Sequence, residues 1–340
     1  MAVLLFSLFR NGTQDETILF GVFAAVIVVF LVIDLGILNK KAHKISTKSA
    51  LYQSIFWVFI STAFGYVIYL NGPYPDYENG ELIHVPGSTA MVEYFSAYLT
   101  EYALSVDNIF VILLILKYFV VKEEYYHTIL FWGILGAVVF RGVFIFVGAL
   151  LISNFHWILY IFGVFLIYSG IKIYFEDSDE KIDPEKNPIL RLCRRYLPMT
   201  DDEMGGKFMG VVNGKWMFTP LFLVVALVET TDLIFAVDSI PAAFAITQNE
   251  FLIYTSNIFA VMGLRAMFFL LAGIIDKFYL LQKGLSIILF FIGSKMLLEI
   301  FQYEISPTLS FTVIIVTLTF SIILSVVVPQ KGEEGAQEAE

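Results

Sequence analysis

The sequence predicts an all-α integral membrane protein of about nine transmembrane helices, and three observations predict it: hydropathy, the length of the apolar runs, and a repeat within them. Hydrophobic residues make up 58% of the 340-residue chain and charged residues 15%, with a mean hydropathy of +0.79, outside the usual range of soluble domains. The runs are long enough to cross a hydrocarbon core, which takes about 20 residues of helix. A soluble multidomain enzyme is excluded, no nucleic-acid partner is implied, and no enzymatic activity is expected.

Apolar runs bounded by Gly, Pro and charge place spans near residues 17–38, 50–70, 92–116, 128–151, 156–175, 218–245, 251–274, 281–301 and 307–328. The opening MAVLLFSLFR lacks a cationic start and a small-residue cleavage site, so it is expected to be an interfacial lead-in to the first span. The segment 71–91 is rich in turn formers and has no Lys or Arg, whereas the 176–217 connection is mixed in charge and contains Pro184, Pro188 and Pro198. The predicted organisation is an N-terminal segment with two peripheral helices (1–91), a three-helix unit (92–175), a cytoplasmic linker (176–217), a second three-helix unit (218–301), a ninth helix (302–328) and an acidic tail (329–340).

With the N-terminus outside, the inward connections hold sixteen of the 21 Lys and Arg residues and the outward segments only Arg10. The positive-inside rule therefore predicts a multi-pass protein with an outer N-terminus and a cytoplasmic C-terminus. The formal charge of −10 says little about partners, because part of it sits in the tail at Glu333, Glu334, Glu338 and Glu340. The single cysteine, Cys193, allows no internal disulfide and no thiolate cluster for soft metals. Nothing in the sequence sets the oligomeric state.

The segment EYALSVDNIF (101–110) aligns without gaps on TDLIFAVDSI (231–240), placing Glu101 over Asp232, Asp107 over Asp238 and Asn108 over Ser239. Phe140-Arg141 matches Leu264-Arg265, and GIKIYFE (170–176) matches GSKMLLE (293–299), with Lys172 over Lys295. An odd number of spans per unit starts the second unit on the opposite membrane face, so the two three-helix repeats are expected to be inverted. Inverted repeats place a binding site near the midplane and permit alternating access.

Six carboxylates fall inside the predicted spans: Asp34, Glu101, Asp107, Glu229, Asp232 and Asp238. Each charge at the bilayer centre costs about 2.5–3.5 kcal/mol even on the lenient insertion scale, so partners are required. Glu101 and Asn108 share one helix stripe, as do Asp232 and Ser239, with Asp107 and Asp238 about a third of a turn away, and both sets can face one cavity. Pro241 removes the amide that would bond the Val237 carbonyl, so a local helix break beside Asp238 is expected. Carboxylate, amide, hydroxyl and carbonyl oxygens suit manganese, magnesium or calcium. His43, His84, His127 and His156 all fall in connections or at span ends, which argues against an intramembrane zinc site. Glu101, Asp107, Asn108, Asp232, Asp238 and Ser239 are the candidate metal ligands, with Glu229, Arg141, Arg265 and Asp34 in supporting or proton-relay roles.

For several residues two readings stay open. Arg141 and Arg265 either neutralise the carboxylates when no metal is bound or form permanent salt bridges that hold the bundle together. Lys172 and Lys295 either act at the site or snorkel to the interface. Glu229 and Asp232, three apart beside Thr230 and Thr231, suit a second ligand set or a proton relay, and Asp34 suits either a functional role or an interfacial charge reaching for Lys40 and Lys41. Asn257 is expected to hydrogen-bond across helices, and Trp57, Trp132, Trp157 and Trp216 to act as packing or interface anchors.

The runs EYALSVDNIFV (101–111), VETTDLIFAVDSIPAAFAIT (228–247) and SNIFAVMGLRAMFFLLAG (256–273) resemble the TerC family, in particular its Alx-like members. The resemblance extends from about Asp34 onward, and AVDSIPA (236–242) is its most specific stretch. It implies an inner or plasma membrane protein of a family linked by name to tellurium resistance and, functionally, to manganese export. The metal-site candidates it implies are the same six residues.

The expected function is efflux of Mn2+ from the cytoplasm by alternating access, with protons as a possible coupling ion and no permanent cofactor. Two other readings are kept. One is a membrane metal-delivery factor that loads exported proteins at the secretion machinery. The other is an intramembrane aspartyl protease using Asp107 and Asp238, since neighbouring carboxylates can share a proton.

Overall fold

The computed structural model describes residues 14–33, 47–78, 81–155, 157–175, 188–200, 204–212, 214–271, 280–301, 303 and 305–327. Ten α-helices and two short hairpins account for most of them: α1 (Gln14–Ile33), α2 (Thr47–Asn71), β1 (Tyr74–Glu78), β2 (Glu81–Val85), α3 (Gly87–Tyr118), α4 (Glu123–Asn154), α5 (Ile158–Phe175), α6 (Pro188–Tyr196), β3 (Met209–Val212), β4 (Lys215–Phe218), α7 (Pro220–Phe244), α8 (Glu250–Leu271), α9 (Leu281–Leu298) and α10 (Pro307–Val327). Among the described residues eight helices, α2–α5 and α7–α10, are long and apolar enough to cross a membrane. The first of the nine predicted spans contributes the apolar stretch Phe20–Phe30 of α1. The chain is a multi-pass integral membrane protein.

Helices α3 and α4 contain 32 residues each, or about 48 Å at 1.5 Å per residue. A hydrocarbon core measures about 30 Å, so both project beyond it or cross it at a tilt. Their ends were predicted too short because the terminal turns carry polar residues such as Ser88, Thr89, Glu123 and Glu124, which hydropathy assigns to loops.

Burial divides the helices into centre and periphery. In its most apolar window α8 is 94% buried by the rest of the chain, whereas α10 is 22% buried. The polar run Thr255, Ser256, Asn257 on α8 is buried, and each of these side chains donates to a carbonyl one turn back: Thr255 Oγ1 to Phe251 O at 2.7 Å, Ser256 Oγ and Asn257 Nδ2 to Ile253 O at 3.0 Å. A helix with that polar content is stable among helices and costly against lipid. Around it pack α2, α3 and α4, while α5 pairs mainly with α9, and α10 lies against α3 and α9.

The α5–α9 pair is set by small residues. A Cβ on Gly293 would lie 2.6 Å from the Gly163 carbonyl oxygen, and one on Gly170 would lie 2.7 Å from the Ser286 carbonyl oxygen. The two backbones therefore meet directly, as small residues at helix crossings allow. In the sequence repeat Gly170 lies over Gly293 and Gly163 over Ser286, so exchanging the two units converts one of these contacts into the other.

Residues 71–91 form more than a loop. Strands β1 and β2 pair antiparallel with Tyr74 opposite Val85, and the hairpin is tied to the α7–α8 connection. Asn249 Nδ2 donates to Pro75 O at 2.6 Å, the Gln248 amide donates to Asp76 Oδ1 at 2.9 Å, and Tyr74 stacks on Phe251. The 176–217 connection likewise contains α6 and the β3–β4 hairpin, at the other end of the bundle. Helix α7 corrects one expectation: it runs unbroken through Pro241 to Phe244. Pro241 lies in the last turn, where little helix remains to be disrupted, and its cost is confined to the missing amide for Val237.

Candidate functional site

The site is built where α3, α4, α7 and α8 meet, and its centre is the Arg141 side chain of α4, 1% exposed. Its guanidinium grips Asp232 of α7 in a fork: Nε donates to Oδ2 at 3.3 Å and Nη2 to Oδ1 at 3.0 Å. Nη1 points to α3 and α8, donating to Glu101 Oε1 and, at 3.1 Å, to Asn257 Oδ1. It also reaches Ser239 Oγ at 3.4 Å. Asn108 Nδ2 donates to Asp232 Oδ1 at 3.0 Å, and Ser105 Oγ to Glu101 Oε1 at 3.2 Å.

The helical spacing explains the convergence. Glu101, Ser105 and Asn108 lie at i, i+4 and i+7 on α3, and Asp232 and Ser239 at i and i+7 on α7, so each helix presents one stripe. Glu101, Asn108, Asp232 and Ser239 are all buried. Two carboxylates against one guanidinium leave this cluster with a formal charge of −1. Glu101 Oε2 and Asn108 Oδ1 are buried oxygens with no hydrogen-bond partner among the described residues. Both are acceptors, and a buried acceptor without a donor is costly in a low-dielectric interior.

One turn before Asp232, the half-buried Glu229 lies against α4 at Gly136. A Cβ there would come within 2.0 Å of both carboxylate oxygens, so a larger residue at 136 would force this side chain out of its present position. Glu229 Oε2 is a third buried oxygen without a hydrogen-bond partner among the described residues.

The remaining candidates separate from the centre. Asp238 is half-buried and accepts a 2.8 Å hydrogen bond from Ser169 Oγ of α5, so it faces the α5 side of α7 while Asp232 and Ser239 face Arg141. The expectation that both sets share one cavity is corrected for Asp238, because the third of a turn that separates it from Ser239 turns it toward another helix. Arg265, which the repeat pairs with Arg141, lines a small cavity with Asn108, Asp232, Gly133 and Leu264. Gly133 stands there where the repeat has Asn257, and the lost side chain leaves the space. Asp107 lies on α3, but its side chain is outside the described residues, as is Asp34 altogether.

The two lysines differ. Lys172 is exposed on α5, whereas Lys295 is buried and donates through Nζ to the Ala245 carbonyl at 3.0 Å. Snorkelling does not describe Lys295, which projects into the bundle. Sequence reasoning also missed Ser105 and the role of Gly136. Ser105 was legible, since it lies one turn from Glu101. Gly136 was not, because its meaning depends on a neighbour 93 positions away.

The oxygen-rich set suits a hard divalent cation in chemistry. Among the described residues no three of His, Cys, Asp or Glu converge to hold a metal, so a cation here would need Asn108, Ser239, Asn257 and water beside Glu101 and Asp232.

Comparison with known proteins agrees with this picture. Residues 87–333 match the model of the integral membrane protein TerC family. The chain is 42% identical over 313 residues to an Escherichia coli K12 protein named as a candidate membrane-bound redox modulator, Alx, covering 92% of this chain and 95% of the relative. It is 40% identical over 306 residues to an uncharacterised membrane protein of Myxococcus xanthus, covering 90% and 91%, and 41% identical over 307 residues to one of Rickettsia bellii, covering 90% and 96%. No solved structure matches. With the family model spanning residues 87–333 and relatives this close along nine-tenths of its length, the chain belongs to the integral membrane TerC family.

Proposed function

We propose that the chain moves a hard divalent cation, Mn2+ foremost, out of the cytoplasm by alternating access. The observation that carries this reading is the set of buried oxygens gathered around one guanidinium, two of them with no hydrogen-bond partner among the described residues. Such a site already stabilises a positive charge. A cation that reaches Glu101 and Asp232 takes the place of Arg141, so substrate and guanidinium are mutually exclusive occupants. Protons accepted by the carboxylates after the metal leaves supply a coupling ion.

The reciprocal glycine contacts of α5 and α9 support an inverted pair of three-helix units. In the proposed orientation the β1–β2 hairpin lies outside, and the small cavity beside Arg265 is the cytoplasmic approach to Asp232 and Asn108. The name of the Alx relatives raises redox modulation, but this chain has one cysteine and cannot form an internal dithiol couple. Mn2+ transport would touch redox balance without thiol chemistry.

Mn2+ flux in proteoliposomes tests the proposal. Wild-type chain should transport, and Glu101→Gln and Asp232→Asn should each lose most of the flux. Unaltered flux in both variants would overturn the site assignment.

A further inference from the structure

A second cavity, of about 250 Å3, lies under the β1–β2 hairpin, between the end of α7 and the facing ends of α9 and α10. Its lining includes Asp76, Glu93, Thr247, Lys295 and Ser306. Glu93, on the first turns of α3, is 3% exposed, and its Oε2 has no hydrogen-bond partner among the described residues. Asp76 is 7% exposed and held in place: Oδ1 accepts from the Gln248 amide at 2.9 Å and Oδ2 from Thr247 Oγ1 at 3.3 Å. Lys295 Nζ donates to the Ala245 carbonyl, which also faces the cavity.

Two buried carboxylates, the hydroxyls of Thr247 and Ser306 and one ammonium thus share a space large enough for a cation with part of its water shell. Mg2+-like ions are held in this way, through one or two carboxylates with several waters retained. The ammonium donates to a backbone carbonyl, and Glu93 Oε2 keeps no hydrogen-bond partner among the described residues. None of the residues gathered around Arg141 lines this cavity.

We propose that the cavity beneath the hairpin is a second cation-binding site, in which Glu93 and Asp76 hold a partly hydrated divalent cation at the outer end of the route that passes the Arg141 cluster. Lys295 tunes this site by competing for the same carboxylates, which weakens binding enough for release. The proposal rests on the transport reading for the direction of travel, but binding at Glu93 stands apart from flux.

Mn2+ binding to the purified full chain, counted by electron paramagnetic resonance during a titration, tests it. Wild type should bind two Mn2+ per chain. Glu93→Gln or Asp76→Asn should remove one and leave the other, and Asp232→Asn should remove the opposite one. Lys295→Met should tighten the outer site about tenfold, an effect in the direction opposite to damaged folding. Two undiminished binding events in both Glu93→Gln and Asp76→Asn, or weakened or unchanged binding in Lys295→Met, would overturn the proposal. Loss of one bound Mn2+ in Glu93→Gln from a wild-type chain that shows no flux would support the outer site and defeat the transport reading.

Discussion

At Arg141 one side chain serves two carboxylates from different helices, and that arrangement sets what its removal must do. Arg141→Gln keeps a polar side chain but leaves Glu101 and Asp232 buried without a countercharge, and breaking a buried pair in this way costs about 3–5 kcal/mol. The variant should unfold at a clearly lower temperature in detergent. Added Mn2+ should recover more of that loss than it raises wild type, because a ligand bound only by the folded state stabilises it. Equal shifts in the two proteins would show that the metal does not use these carboxylates. Gly136 supplies a second test. Gly136→Val drives two methyl groups and a Cβ into the Glu229 carboxylate, and overpacking of this kind costs about 1–3 kcal/mol. Combined with Glu229→Ala, the same change should cost less than the sum of the two single variants, a coupling readable in thermal melts. Glu101, Asn108, Asp232 and Ser239 were legible as one constellation, since spacing alone puts them on stripes. The seat of Asp238 was not, because a third of a turn points to a different helix only once the neighbours are known.

Among the elements, apolar runs located eight of the spans because burial in lipid and burial in protein both select for hydrophobic residues. That same ambiguity hid the central position of α8, whose hydropathy does not distinguish neighbouring helices from lipid; only Thr255, Ser256 and Asn257 hint at it. Both hairpins were also readable. Asn79-Gly80 and Asn213-Gly214 each separate two strand-like runs by two residues, the pattern of a tight β-turn, and Gly214 has the left-handed backbone such a turn uses, at φ +76. For the α5–α9 crossing, Gly293→Leu should force the helices apart. A drop in melting temperature larger than that of Gly205→Leu, where a Cβ meets no atom within 4 Å, would confirm the close crossing, although Gly205 carries its own cost at φ +65.

Across the whole molecule, charge placement and fold agree on two unlike faces. The hairpin face carries β1–β2 and the α7–α8 connection, while α6 and β3–β4 lie at the other end with exposed Arg191 and Arg195. The single Cys193 on α6 is partly exposed, so a membrane-impermeant maleimide should label it in inside-out vesicles and spare it in right-side-out ones. Exposed His84 on β2, replaced by cysteine in a Cys193→Ser background, should show the reverse. Labelling of both from the same side would contradict the proposed topology. The close meeting of α5 and α9 backbones carries a consequence for how such a machine could turn. On the transport reading, a crossing with no side chains interposed at these glycines would serve as a fulcrum. Spin labels level with it should keep their separation throughout turnover, while pairs near the two membrane surfaces trade short distances for long ones in opposite phase.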